Sequence, residues 1–188
     1  MKVWVVRHGE SVTNKKGLWT GWSDVPLTEK GEEDAAKAGK LLSDVKFDKI
    51  YSSDLMRARR TAEIAIPNCE YTATKMLREI NVGYLSNNPL NTLTAEQKDI
   101  ADKEGYGAYD GETKAEFHDR IAQFMKQLEA SDFSNVALFS HGGLLRNLLE
   151  IVIGIELPQR RISCENCTVA IFEYNGSTWK LHSWINLI

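Results

Sequence analysis

Two histidines of this 188-residue chain stand in the same local setting. In VWVVRHGES (residues 3–11) a short apolar run stops at Arg7, His8 and Gly9, and in NVALFSHGGLLRN (135–147) another stops at Ser140, His141, Gly142 and Gly143. Two histidines that end apolar runs in this way are placed to share one binding crevice. Arginine supplies the complement, a planar fork that matches phosphate oxygens two at a time. Arg7 sits beside His8, and YSSDLMRARR (51–60) brings Arg57, Arg59 and Arg60 into the first turns of a helical pattern. Of these, Arg59 and Arg60 read as solvated surface charges. Gly142-Gly143-Leu144 opens another helical pattern, whose free N–H groups suit an anion. Residue types and spacing together point to a local phosphate pocket.

Such groups meet only if a scaffold brings the ends of separate strands together, and open α/β sheets form their crevices at the carboxyl ends of strands. The apolar pattern has that character. KVWVV (2–6), KIYSS (49–53) and NVALFS (135–140) read as short strands buried on both faces. The spacing predicts helices over LTEKGEEDAAKAGKLL (27–42) with Thr28 as N-cap, DLMRARRTAEIAI (54–66) with Asp54 as cap, TKAEFHDRIAQFMKQLEA (113–130) and GLLRNLLEIVIG (143–154). TVAIFEY and TWKLHSWINL flank Asn175-Gly176-Ser177, the turn chemistry of a hairpin. The expected fold is one α/β domain over 1–188, a three-layer α/β/α sandwich with a mostly parallel sheet and an antiparallel hairpin at its C-terminal end. From Val82 to Gly111 the pattern weakens, apart from a helical stretch at Thr94 to Lys103. This segment is expected to be a small cap insertion over one end of the sheet.

Bulk properties narrow the function. A net charge of -3 gives no broad basic field, which argues against nucleic acid and acidic membranes as partners. No apolar run approaches the roughly 18–20 residues of a membrane span, and VWVV is too short for an export signal, so a cytoplasmic location is expected. Three cysteines do not make a disulfide framework. Cys164-Glu165-Asn166-Cys167 invites a metal or redox reading, but it runs straight into a strand and lacks further ligands at suitable spacing, so it reads as chance placement. Trp19 and Trp22 read as a loop tying itself to the core.

The ordered runs RHGESVTN (7–14), TGWSDVPLTEKG (20–31), YSSDLMRARRTAE (51–63), LREINVG (77–83), GETKAEFHDR (111–120) and SHGG (140–143) make the chain resemble the histidine phosphatase superfamily, the phosphoglycerate mutase-like family. The resemblance implies that His8 takes the phosphoryl group as a phosphohistidine. It implies that Arg7, Asn14, Arg57 and His141, with Gly142, bind the phosphoryl oxygens, His141 adding positive charge if protonated. Glu79, in L-R-E-I, would protonate the leaving oxygen and later assist water, a role that requires its pKa to rise above the usual carboxylate value. No metal and no cofactor are implied.

Two departures bear on substrate. TGWSDVPL resembles the family's mutases, where the Thr-Gly backbone lies near the substrate carboxylate, so Thr20 and Gly21 are possible substrate contacts. Yet Lys98 and Lys103 are the basic residues of the Val82 to Gly111 segment, too few for a second-anion clamp. The phosphatases' G-x-W-E-G is replaced by GYLSNN, with Tyr84 and Leu85 in place of the missing glutamate and tryptophan, so their leaving-group pocket does not carry over, and Tyr84 is a possible substrate contact. The expectation is a metal-independent phosphomonoesterase acting on a small phosphorylated metabolite, as a monomer or homodimer. A mutase or other phosphotransferase, and a non-catalytic phosphate-binding module, are the alternatives.

Overall fold

The computed structural model describes residues 1–156 and 162–187. Six strands form one sheet: β1 (Lys2–Arg7), β2 (Lys49–Ser53), β3 (Thr72–Thr74), β4 (Asn135–Ser140), β5 (Val169–Tyr174) and β6 (Trp179–Ile185). Their spatial order is β3-β2-β4-β1-β5-β6. The first four are mutually parallel, while β5 runs antiparallel to both β1 and β6. The helices are α1 (Val12–Lys15), α2 (Glu29–Leu42), α3 (Met56–Ala65), α4 (Ala95–Glu104), α5 (Lys114–Glu129) and α6 (Gly142–Ile153). None of them is long and apolar enough to cross a membrane.

The period of two along each central strand sends side chains alternately to two cores. Val3 and Val5 of β1, with Val136 and Leu138 of β4, pack against Phe117, Ile121 and Phe124 of α5 and the leucines of α6. Val6, Ala137 and Phe139 face the other way, onto Ala35 and Ala38 of α2 and Ala62 and Ala65 of α3. This is the expected three-layer sandwich. The alanines let α2 and α3 lie close to each other and to the sheet, and Gly39 completes the fit, since a Cβ there would stand 2.6 Å from the Ala65 carbonyl oxygen.

Thr28 caps α2, its hydroxyl accepting from Gly31 N. Thr113 and Thr94 begin α5 and α4 with reciprocal capping boxes to Glu116 and Gln97. The expected cap of α3 is different: Leu55 takes the N-cap position without a side-chain bond. Asp54 instead accepts two bonds from Arg78 at 2.7 Å each, because a forked ion pair outweighs a single capping bond. β3 was not legible, since TAT carries no apolar run and lies on the sheet edge. In the hairpin turn Asn175 Oδ1 accepts from Ser177 N and Thr178 N, and Gly176 takes φ 96°, the left-handed region open to glycine.

The Val82 to Gly111 segment folds on a small core of its own, Val82, Leu85, Leu93, Ala101 and Tyr106, with Trp19 and Tyr109 against it. It docks through main-chain bonds to the loop after α1, Trp19 N to Asn88 O at 2.9 Å and Asn87 N to Trp19 O at 2.7 Å.

Gly9, after β1, crosses Gly31 in the first turn of α2 at backbone contact distance. A Cβ on Gly31 would lie 2.1 Å from the Glu10 carbonyl oxygen, and one on Gly9 would lie 2.2 Å from the Gly31 carbonyl oxygen. Gly31→Ala is therefore expected to lower unfolding free energy by about 1–3 kcal/mol in denaturant titrations; an unchanged midpoint would show that the crossing can relax.

Candidate active site

The parallel pairing of β1 with β4 sets Arg7 opposite Ser140, so the next residues, His8 and His141, emerge side by side. Their rings lie 5.1 Å apart, centroid to centroid, and both are buried. His8 Nδ1 sits 2.6 Å from the carbonyl oxygen of Gly9, a bond it can make only as the donor. The proton is thereby fixed on Nδ1, and Nε2 is left with its lone pair, which accepts from Arg57 Nε at 3.1 Å. Burial, then the Arg57 and Arg7 guanidiniums, hold the His8 pKa well below the ordinary histidine value.

Arg57 is fully buried and wholly engaged. Nη1 donates to Ser23 O and Nη2 to Gly21 O, both at 2.8 Å, while Nε meets His8. Burial lowers its pKa to about 10, still far above neutrality, so it remains a cation. Thr61, one turn further along α3, accepts from Gly9 N at 3.0 Å and donates to Arg57 O at 2.7 Å, tying the β1 loop to the arginine.

His141 hydrogen-bonds Ser53 Oγ, at the end of β2, through Nε2 at 2.9 Å, and its Nδ1 is buried without a partner among the described residues. Burial, then Arg57, His8 and Arg7, push its pKa well below the ordinary value. With two guanidiniums and a second imidazole beside it, the ligand-free ring is disfavoured as a cation.

Arg7 donates from Nη1 to Cys164 O, and its Nε is buried without a partner among the described residues. His8 O accepts from Cys167 N and from Asn166 Nδ2, at 3.3 and 3.0 Å. The main chain of the Cys164–Cys167 turn thus brackets the Arg7-His8 step, a task that uses neither thiol. Its thiols are free and buried, and burial drives Cys167 up to about 12. Asn14 Oδ1 is held by Ser11 N at 3.2 Å and Asn166 Nδ2 at 3.3 Å, so a phosphate contact from Asn14 must come from its NH2 end.

Glu79 lies at the start of α6. Its Oε2 accepts from Gly143 N at 3.0 Å and its Oε1 from Ile80 N at 3.0 Å. Gly143 is required by this contact, because a Cβ there would stand 2.1 Å from Glu79 Oε1. Arg78 faces away, onto Asp54, with its guanidinium 4.8 Å from the centre of the Trp22 ring. Trp22 Nε1 donates to Glu79 O at 2.7 Å. The paired Glu112 and Arg120, which sequence reasoning passed over, hold the same segment from below. Arg120 donates to Met76 O at 2.8 Å, Arg78 O at 3.0 Å and Glu79 O at 3.2 Å, while both Nε and Nη2 reach Glu112 at 2.9 Å. Their shared presence in GETKAEFHDR was the available signal.

The cap-side candidates fare unevenly. Gly21 gives its carbonyl to Arg57, and Thr20 Oγ1 bonds Thr13 Oγ1 at 2.7 Å. Tyr84 is 61% exposed and its hydroxyl donates to Ala108 O at 3.5 Å. Tyr106 is the buried cap tyrosine, and burial, then the Asp102 and Glu79 carboxylates, raise its pKa. Arg60 pairs with Glu32 at the surface. Among the described residues no cluster of three or more His, Cys, Asp or Glu side chains is placed to hold a metal ion.

A conserved-sequence model of the histidine phosphatase superfamily (branch 1) matches residues 3–187, and the chain belongs to that superfamily. It is 34% identical over 194 residues to the "probable phosphoglycerate mutase GpmB" of Citrobacter koseri, covering 98% of this chain and 90% of the relative. Among solved structures it is similar to TTHB049 of Thermus thermophilus, with a TM-score of 0.80 at 30% identity over the whole of both chains. It is also similar to a "putative alpha-ribazole-5'-P phosphatase" of Escherichia coli, with a TM-score of 0.83 at 26% identity over 99% of this chain and 96% of that one.

The two depressed imidazoles set a pH dependence. Below about pH 6.5 the unfolded chain binds protons that folded His8 and His141 refuse, so stability is complete above that pH and is lost as pH falls towards the folded values. The lowered carboxylates Asp34 and Asp54 act only below about pH 4, outside this window. Denaturant midpoints are expected to drop between pH 7 and pH 5, and His141→Gln should flatten part of that slope; a slope of zero in the native protein would contradict the buried neutral pair.

Proposed function

We propose that the chain is a phosphomonoesterase that works without a metal, through a phosphohistidine on His8, on a small phosphorylated metabolite. The observation that carries this reading is the His8 tautomer: the Nδ1 bond to Gly9 O leaves Nε2 as the nucleophilic atom, aimed at Arg57 within a set of donors. In the first step Nε2 attacks phosphorus, the bond from phosphorus to the ester oxygen breaks, and Glu79 gives its proton to the departing oxygen. In the second, water attacks the phosphohistidine, Glu79 takes a proton from it, and inorganic phosphate leaves with His8 neutral again. As Nε2 bonds phosphorus, Arg57 Nε shifts from the ring to a phosphoryl oxygen. Arg7 Nε and His141 Nδ1, both buried with no partner among the described residues, take others. The Asn14 amide and Gly142 N–H complete the cradle.

A mutase is the second reading, favoured by the name of the Citrobacter koseri relative and by TGWSDVPL. The cap weighs against it, since Lys103 is exposed and spent on Asp99 at 2.7 Å.

With excess chelator present, the native protein is expected to hydrolyse an activated aryl phosphate, and His8→Ala to lose about a thousandfold or more and to show no covalent labelling by phosphate. Turnover that disappears on chelation, or labelling that persists in the variant, would overturn the reading. Isomerisation of phosphoglycerate that outpaces hydrolysis would favour the mutase. Glu79→Gln is expected to slow esters with poor leaving groups far more than activated aryl esters, because only the former need the proton. Equal slowing would move the acid elsewhere.

A further inference from the structure

We propose that Ser53 is the positioning residue that makes His141 a hydrogen-bond donor: the Ser53 hydroxyl gives its proton to Nε2, which fixes the ring proton on Nδ1, where it serves a phosphoryl oxygen. The proposal rests on the phosphomonoesterase reading. A neutral imidazole donates from one nitrogen only, and which one depends on what the other nitrogen meets. For His8 that partner is a carbonyl, Gly9 O, which can only accept and so leaves no choice. For His141 it is a hydroxyl, Ser53 Oγ at 2.9 Å from Nε2, which is able to act in either sense.

The surroundings of the hydroxyl decide the sense. Ser53 and His141 are both fully buried, so neither turns to water. Among the described residues Ser53 Oγ has two polar neighbours, His141 Nε2 and the Leu55 amide, which donates to it at 3.4 Å. An amide N–H cannot accept, so the serine proton has one place to go, the lone pair of Nε2. The reverse arrangement would crowd two N–H donors onto Oγ and leave the hydroxyl proton without an acceptor. It would also leave Nδ1, buried with no partner among the described residues, as a bare lone pair set against phosphoryl oxygens. Ser52 Oγ already donates to Ser53 O at 2.8 Å, so the turn after β2 is tied without the Ser53 hydroxyl. The sheet supplies the placement: β2 and β4 run parallel with Ser52 opposite Phe139, which brings the end of β2 against the residue that follows β4.

The two histidines thus share a tautomer and differ in which end faces the site. His8 keeps its proton turned back on its own chain and offers a lone pair for attack. His141 keeps its lone pair turned back on Ser53 and offers a proton. A carbonyl behind one ring and a hydroxyl behind the other separate nucleophile from donor, and no ionised histidine is required.

Long-range proton–nitrogen correlation spectra of the full chain, labelled at its histidine nitrogens and mixed with inorganic phosphate, read the tautomer of each ring, and His141→Gln identifies the His141 signals. The native protein is expected to show a neutral His141 with its proton on Nδ1. Ser53→Ala is expected to move the ring towards the Nε2–H form and to weaken phosphate binding, measured by calorimetry, about 10-fold or more, the scale of a hydrogen bond to a charged group. Ser53→Thr keeps the hydroxyl and should keep the native tautomer. In turnover, Ser53→Ala should slow aryl esters and esters with poor leaving groups alike, since Glu79 is untouched. A native His141 that carries its proton on Nε2, or is an imidazolium, would overturn the proposal without recourse to a variant. So would a Ser53→Ala protein in which tautomer and phosphate affinity do not change together, or a folded Ser53→Thr protein with the tautomer of the alanine variant. Because the spectra need no turnover, a failure to hydrolyse any ester would sink the esterase reading while the tautomer is judged separately.

Discussion

Everything at the site depends on the register of two adjacent parallel strands. With β1 and β4 paired so that Arg7 meets Ser140, the chain reversals that follow both strands leave the sheet at one level, and the two histidines need no further adjustment to touch. A shift of one residue would turn Val3, Val5 and Val6 to the wrong cores and separate the rings, so the hydrophobic pattern of the interior also enforces the geometry of the polar site. β2, on the far side of β4, ends at Ser53 and reaches His141 from there. Three strand ends are therefore fixed by the packing of two apolar layers, and the chemistry rests on that rigidity.

Around this point the polar groups are held mainly by backbone. Arg7 is placed by the carbonyl of Cys164, Arg57 by the carbonyls of Gly21 and Ser23, Glu79 by the amides of Ile80 and Gly143. Arg120 gathers the carbonyls of the Glu79 segment as a buried hub, anchored by Glu112. Backbone groups do not rotate away as side chains do, so such a site is set in place before a ligand arrives.

Much of this was legible in the sequence because it depends on local patterns. The strands that end at His8, Ser53 and His141 announce themselves as near-continuous apolar runs, and Thr28, Thr94 and Thr113 stand where helix starts require them. What escaped is non-local or carried by the main chain. Asp54 looked like a cap because the sequence does not show that Arg78 lies across from it. Cys164 and Cys167 drew attention to their thiols, whereas their carbonyl and amide carry the function, and every residue has those. Arg120 and Glu112 lie eight residues apart across a helix start, a spacing that no periodicity argument favours. The burial of Tyr106 beside the exposed Tyr84 likewise comes from the packing of the segment on itself, which no local pattern in it announces.

The full engagement of Arg57 bears on how a cycle ends. All three of its donor nitrogens have acceptors inside the protein, in Gly21, Ser23 and the ring of His8. On the proposed phosphatase reading, a departing inorganic phosphate would leave behind no stranded buried cation, since the protein's own oxygens and the imidazole would close around the guanidinium as the anion goes. The empty state is itself a bonded state, so affinity for phosphate would be only the difference between two sets of similar bonds. A cradle built in this way would hold such a product loosely while still stabilising a phosphoryl group in flight, when the extra negative charge makes the exchange worthwhile.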